Sequence, residues 1–410
     1  MKKSMLRKYA RLIAKVGANV QKDQPCLVYA STEQAEFVAM VVEECYKLGA
    51  KYVRVEWNND ALIKLHYNYQ SVETLKDVPK WQIEKMKLMV DELPCRIHII
   101  SDDPDGLKGI DIAKMQQARI AHYKKTKKYS DAVESKHQWT IAAVPGVKWA
   151  KKVYPELSKK QAVEKLWQTI LATVHVTEDN DPVKAWDDHN ADFNARSEWL
   201  NKQKFDYVTY KSSNGTDFRC DLIPEGHWCG GGETTKGGVY FNPNLPTEEI
   251  FTSPMAGKCE GKLVSTKPLS YQGQIIDKFW LRFENGKAVE WDAEKGKELL
   301  DKMLTMDEGA AKLGELALVP KNGPIDRCGV LFYETLFDEN ASCHVAVGRG
   351  FNDCIDGYLE MENVNEECRK LGINDSMIHT DFMVGADDLC ITGYKNGKAI
   401  PIFVNGTWAK

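Results

Sequence analysis

Only two histidines follow His227, and both sit among carboxylates. His379 precedes Asp381 by two residues, in His379-Thr-Asp-Phe-Met383. His344 closes Leu336-Phe-Asp-Glu-Asn-Ala-Ser-Cys-His344, which also carries Asp338, Glu339 and the amide of Asn340. Upstream lie Glu315, in Leu313-Gly-Glu-Leu-Ala-Leu-Val319, and Glu248-Glu249, after Asn242-Pro-Asn-Leu-Pro246. Gly348-Arg-Gly-Phe351 completes the set. Carboxylate with neutral imidazole is the ligand set that divalent Zn, Co or Mn accepts. These residues point to a metal site used for hydrolysis.

Each residue also has a plainer reading. On an extended strand, positions i and i+2 project from one face, so His379 and Asp381 can address one ion; a buried His–Asp pair without metal is the alternative. Glu315 lies in an apolar run, where a buried carboxylate needs a partner; a surface-facing glutamate is the alternative. Asp338 or Asn340 would also serve as a helix cap. Two prolines within five residues deny a long helix before Glu248 and Glu249, which leaves them on a stiff loop or a single turn. Cys343 beside His344 raises the question of a nucleophilic thiol, but no third orienting group accompanies the pair.

The elements that must position these groups fall into two textures. Up to about residue 175, short apolar runs such as Cys26-Leu-Val-Tyr-Ala30, Arg96-Ile-His-Ile-Ile100 and Trp139-Thr-Ile-Ala-Ala-Val144 alternate with helical patterns. That alternation predicts an α/β domain with a largely parallel sheet. Ser31 or Thr32 caps a helix that stops at Gly49. The polar stretch Val176-Thr-Glu-Asp-Asn-Asp-Pro182 marks the boundary, giving domains 1–180 and 181–410. From Phe205 onward, strands and tight turns predict an α+β domain with mixed and antiparallel sheet that carries the metal site. Ser213-Asn-Gly-Thr and Lys395-Asn-Gly-Lys read as hairpin turns. Ala293–Leu304 and Asp307–Leu313 read as helices. The glycine cluster Cys229–Gly238 lacks a Gly-Lys-Ser/Thr tail and reads as a mobile loop bordering a site. His66, His98, His122, His137, His175 and His189 lack paired ligand spacing and carry no function in this reading.

Composition sets limits. A length of 410 residues fits about two or three domains. A net charge of −4 gives no general attraction for nucleic acid or an acidic membrane. No apolar run is long enough to span a bilayer, and the basic first residues lead into an amphipathic pattern, not a secretion signal. Eleven cysteines without paired spacing suit reduced thiols. A cytoplasmic location follows as an expectation.

The stretch from Asn242 to Leu389 resembles the aminopeptidase T and aminopeptidase S family of dinuclear metallo-aminopeptidases. The phrases that carry the likeness are Asn244-Leu-Pro-Thr-Glu-Glu-Ile-Phe-Thr252, Lys267-Pro-Leu269, Asp307-Glu-Gly309, Leu313–Pro320, Leu336–Ala341 with His344, and His379–Gly385. The resemblance implies Glu249, Glu315, His344, His379 and Asp381 as ligands of two divalent ions (Zn, Co or Mn), with Glu315 shared between them. It implies Glu339 as the residue that moves protons, and a water between the ions as nucleophile. It implies release of N-terminal residues from short peptides by a homodimer, with no nucleic acid or membrane partner. At one place the chain departs from the family pattern. Seven residues after His344, where the resemblance implies a tyrosine that stabilises the tetrahedral intermediate, stands Phe351. Tyr358 is the nearest hydroxyl in sequence. Another metal-dependent amide hydrolase on the same scaffold, or a catalytically weak metal-stabilised dimer, are the rival expectations.

Overall fold

The computed structural model describes residues 1–409. Two compact units emerge: Met1–Asp187 with Gly232–Leu245, and Asp188–Gly231 with Pro246–Lys410. The expected division fell at 180/181 and left 232–245 in the second domain. That short segment clusters with the first unit instead. The reason is backbone pairing: Asn244 and Leu245 add a two-residue parallel strand beside Ile141 and Ala142.

The first unit is α/β. Its five-stranded sheet runs in the order Asn244–Leu245, Trp139–Ala143, Cys95–Ile100, Pro25–Ser31, Tyr52–Asn58, with every pairing parallel. Parallel strands need crossover connections, and helices such as Ala35–Lys47 and Ile112–Val133 supply them. Ser31 accepts a hydrogen bond from Glu33 N at the start of the first crossover. Gly49, with φ +95°, lies just past its end, in a conformation that side chains resist. Tyr9, Phe37 and Trp167 pack ring to ring within this unit.

The second unit is α+β and holds two antiparallel sheets. The smaller runs His379–Met383, His344–Gly348, Leu313–Leu318, Ile250–Thr252, Cys229–Gly230. The larger has nine strands, including Pro254–Val264 and Gln274–Glu284. One hydrophobic core joins the two sheets, with Leu316, Leu318, Val345, Val347 and Phe382 from the small sheet and Phe279, Leu281 and Phe283 from the large one. Both expected hairpins form, between Tyr207–Lys211 and Asp217–Leu222 and between Cys390–Lys395 and Lys398–Val404.

Two expected helices differ. Residues 293–295 belong to the strand Lys287–Lys295, and the helix begins only at Lys297. Ala293 continues the ladder by pairing with Phe279, so tertiary pairing overrides local propensity there. The stretch 307–312 is a set of turns. Asp307 accepts hydrogen bonds from Gly309 N, Met377 N and Ser376 Oγ, competing with the helical ladder. The glycine-rich segment splits between the units: Cys229–Gly230 pairs with Ile250 and Phe251, and Glu233–Thr234 pairs with Tyr240–Phe241.

Candidate metal centre

Strand alternation sorts the small sheet into a core face and a polar face. On the core face stand Leu316, Leu318, Val345, Val347 and Phe382. Their neighbours Glu315, Ala317, His344, Ala346 and Asp381 therefore point the other way. Register aligns them across strands. Glu315 pairs with Ala346, which pairs with Asp381. Phe251 pairs with Ala317, which pairs with His344. The two alanines leave room for the longer side chains beside them to meet. Glu249 lies two residues before Phe251, so it enters from the same face.

Glu315 reaches that face through an irregularity. Leu313 belongs to the core, and simple alternation would send Glu315 there too. The register shifts between Leu313 and Glu315, which is a β-bulge at Gly314. A Cβ on Gly314 would stand 2.2 Å from the Arg349 carbonyl oxygen, so only glycine fits.

All five residues expected to be ligands come together, in two overlapping groups. Glu249, Glu315 and His344 each place a donor atom within 4.8 Å of the others, and so do Glu315, His379 and Asp381. Glu315 belongs to both. His344 Nε2 is 3.1 Å from Glu249 Oε2. His379 Nε2 is 3.2 Å from Glu315 Oε2 and 3.2 Å from Asp381 Oδ1. Four of the five are buried and His379 is half-buried.

Both imidazoles are oriented from behind. His379 Nδ1 donates to the Arg349 carbonyl at 2.7 Å, and His344 Nδ1 to the Ser342 carbonyl at 3.3 Å. A carbonyl can only accept, so the proton of each neutral ring is on Nδ1 and Nε2 is a bare lone pair. Each Nε2 then faces carboxylate oxygens, acceptor against acceptor. A cation between them resolves the conflict, either a proton or a metal. Ligands about 2.0–2.1 Å from a tetrahedral ion stand about 3.3 Å from one another, close to the spacing here. Asp381 Oδ1 is buried with no hydrogen-bond partner of adequate geometry, as a ligand oxygen would be. The donor set fits divalent ions.

Electrostatics agree. Burial raises Glu315 to about 7, with the Asp381 and Glu249 charges adding to it and His379 opposing. Burial, then the charges of Asp381, Glu249 and Glu315, push Glu339 well above the usual carboxylate range. Burial also acts on His344, but Glu249 outweighs it and lifts the ring to about 9. His379 rises for the same reason, through Asp381 and Glu315. Asp381, despite burial, falls below the ordinary range beside His379. Protons thus collect where positive charge is wanted. The three carboxylates of the two groups offset three of the four positive charges that two divalent ions would bring.

Glu339 lies outside both groups of three, in a short helical turn before the His344 strand. Asp338 points elsewhere, accepting from Phe332 N at 2.7 Å and Glu334 N at 3.2 Å. Asn340 does not cap a helix. Its Oδ1 accepts from Glu248 N at 2.7 Å and its Nδ2 donates to Leu336 O at 2.9 Å. His189 Nε2 meets Thr247 O at 2.9 Å. Neither Asn340 nor His189 was singled out for this work in the sequence, because the loop they hold is distant in the chain from both.

Cys343 is excluded as a nucleophile. It lies on the core face, its Sγ contacts Val319 N and O, and burial pushes the thiol up to about 12. Phe351 is at the site: its ring centroid is 4.7 Å from that of His379 and 5.4 Å from that of Phe251. Tyr358 packs instead against a separate small cluster of Ile223, Ile355, Cys368 and Ile373.

Comparison with known proteins gives a consistent result. A family model described as thermophilic metalloprotease (M29) matches residues 2–408. Aminopeptidase AmpS of Bacillus subtilis (strain 168) is 40% identical over 406 residues, covering 98% of each chain. Aminopeptidase T of Thermus aquaticus is 37% identical over 408 residues, again 98% of each. The solved structure of wild-type AmpT from Thermus thermophilus is similar with a TM-score of 0.91 at 35% identity, covering all of both chains.

Proposed function

We propose that this chain, which belongs to the M29 family of thermophilic metalloproteases, removes N-terminal residues from short peptides at a two-metal centre built around Glu315. As a metal-dependent aminopeptidase it is a hydrolase of the exopeptidase class. The observation that carries the two-metal reading is the pair of imidazoles whose Nδ1 atoms are fixed by carbonyls while both Nε2 lone pairs face carboxylates that converge on Glu315.

In this reading Glu249 and His344 would hold one ion, His379 and Asp381 would hold the other, and Glu315 would serve both. When bound, the ions supply an acidified water as nucleophile and polarise the scissile carbonyl. Glu339 accepts the water's proton and passes it to the leaving amine, a task suited to a carboxylate whose affinity for protons is raised. Exopeptidase action in this reading requires the substrate's free α-amine to dock beside one of the ions or a carboxylate of the site. The physiological ion is Zn, Co or Mn, all of which take oxygen and imidazole nitrogen.

The reading includes a cytoplasmic homodimer. Eleven cysteines with no disulfide among the described residues suit a reducing compartment. Among the described residues no helix is long and apolar enough to cross a membrane. The first unit exposes Leu62, Leu65 and Tyr69 along one helix and Trp81 on another, apolar side chains that a second copy would cover.

Glu315→Gln tests the proposal. The variant keeps the side chain's size and removes the charge both ions need. Turnover of dipeptides and aminoacyl arylamides should fall by at least about a hundredfold, the upper end of what loss of a mere supporting residue costs. Wild-type turnover in that variant would refute the shared role of Glu315.

A further inference from the structure

The loop that delivers Glu249 has little secondary structure of its own. Between Leu245 and Ile250 it carries no regular element, and Pro246 has no N–H to offer. Yet its peptide unit between Thr247 and Glu248 is gripped on both sides. The carbonyl oxygen of that unit faces His189 Nε2 at 2.9 Å, and its N–H donates to Asn340 Oδ1 at 2.7 Å. Carbonyl and N–H project in opposite directions from one plane, so the two bonds fix its rotation. Glu249 is the next residue along.

Asn340 is fully buried. Its amide orientation follows from its partners, because an N–H must meet Oδ1 and the Leu336 carbonyl must meet Nδ2. The second Nδ2 hydrogen is then free for Glu339, whose Oε1 stands 3.4 Å away. One side chain therefore touches the loop of an expected ligand and the carboxylate expected to move protons.

We propose that Asn340 is a positioning residue that holds the Glu249 loop and Glu339 in fixed relation. This rests on the reading of Glu249 as a ligand and Glu339 as the proton carrier. The chemistry accounts for the residue type. Aspartate would keep the acceptor for Glu248 N but set a charge against the Leu336 carbonyl and the Glu339 carboxylate. Glutamine is one methylene too long for a site with no exposed surface. Alanine removes the acceptor that the Glu248 N–H uses and the donor that meets the Leu336 carbonyl. Supporting residues of metal sites typically change affinity or activity by about 10–100-fold when lost.

The test uses the full-length protein with Asn340→Ala and Asn340→Asp, each titrated with Zn, Co and Mn and assayed on a leucyl arylamide. For N340A the expected result is metal affinity weakened by about 10–100-fold, kcat at saturating metal at least about tenfold down, and KM within about threefold. For N340D, which keeps the acceptor, metal affinity should stay nearer to wild type than in N340A while kcat still falls about tenfold. If N340A does not fold, N340D decides by the same kcat criterion. A role in folding alone would leave kcat of the folded variants within twofold of wild type at saturating metal; that result overturns the proposal. If wild-type protein cleaves no free-amine substrate, the failure is of the functional reading, and the metal affinities of the two variants still decide the clamp.

Discussion

His379 owes its role to what lies behind it. Its Nδ1 is spent on the Arg349 carbonyl, so its other nitrogen can only look toward Glu315 and Asp381. Beside it, the Phe351 ring covers one side without offering a hydrogen bond. Phe351→Tyr would add a hydroxyl at the position where the resemblance implies one. The loss of one oxyanion donor costs about 10²–10³ in other hydrolases, so a gain of tenfold or more in kcat is expected, with KM little changed. A rate no higher than wild type would mean that this chain stabilises its oxyanion by other means. The residues that meet at the candidate site were legible in the sequence, because histidine is scarce there and carboxylates attend both late copies. Their supports were not. An asparagine next to a glutamate, or the carbonyl of Arg349, has no signature in a sequence; each acquires its task only when strands distant in the chain pair.

At the scale of elements, the bulge at Gly314 decides which way Glu315 faces. Residues 316 and 318 obey alternation with the core, and Leu313 breaks it. Gly314→Ala would drive a methyl group into the Arg349 carbonyl, the same group that orients His379. The expected outcome is a loss of about 10–100-fold in activity together with weaker metal binding, since a second support has moved. Spectroscopy with Co in place of the native ion reads this directly; an unchanged Co spectrum with unchanged kcat would show the carbonyl to be dispensable. Strand periodicity foretold the His379-x-Asp381 face. It could not foretell the bulge, because a glycine in an apolar run also reads as an ordinary interruption. The helices expected at 293–304 and 307–313 went astray for related reasons. Ala293 is claimed by a ladder with Phe279, and Asp307 spends its carboxylate on Gly309, Ser376 and Met377.

For the whole molecule, the alternation of strands and helices announced an α/β unit, and the turn-rich second half announced antiparallel sheet. The return of residues 232–245 to the first unit was invisible, since a two-residue strand leaves no pattern to read. Association is also decided at this scale. The exposed Leu62, Leu65, Tyr69 and Trp81 predict that sedimentation equilibrium will give twice the chain mass of 46.4 kDa. A single species at the chain mass would remove the homodimer, and Tyr69→Glu with Trp81→Glu should produce that species if the surface is the one used.

The most direct measurement of the central claim counts ions against turnover. Metal-free protein is titrated with Zn, Co or Mn, bound metal is determined per chain, and hydrolysis of dipeptides and aminoacyl arylamides is followed in the same samples. Two ions sharing Glu315 predict that activity rises to its plateau as about two equivalents bind, and that N-terminally blocked peptides stay intact. Full activity with one ion, or two ions bound with no cleavage of any free-amine substrate, would contradict the account.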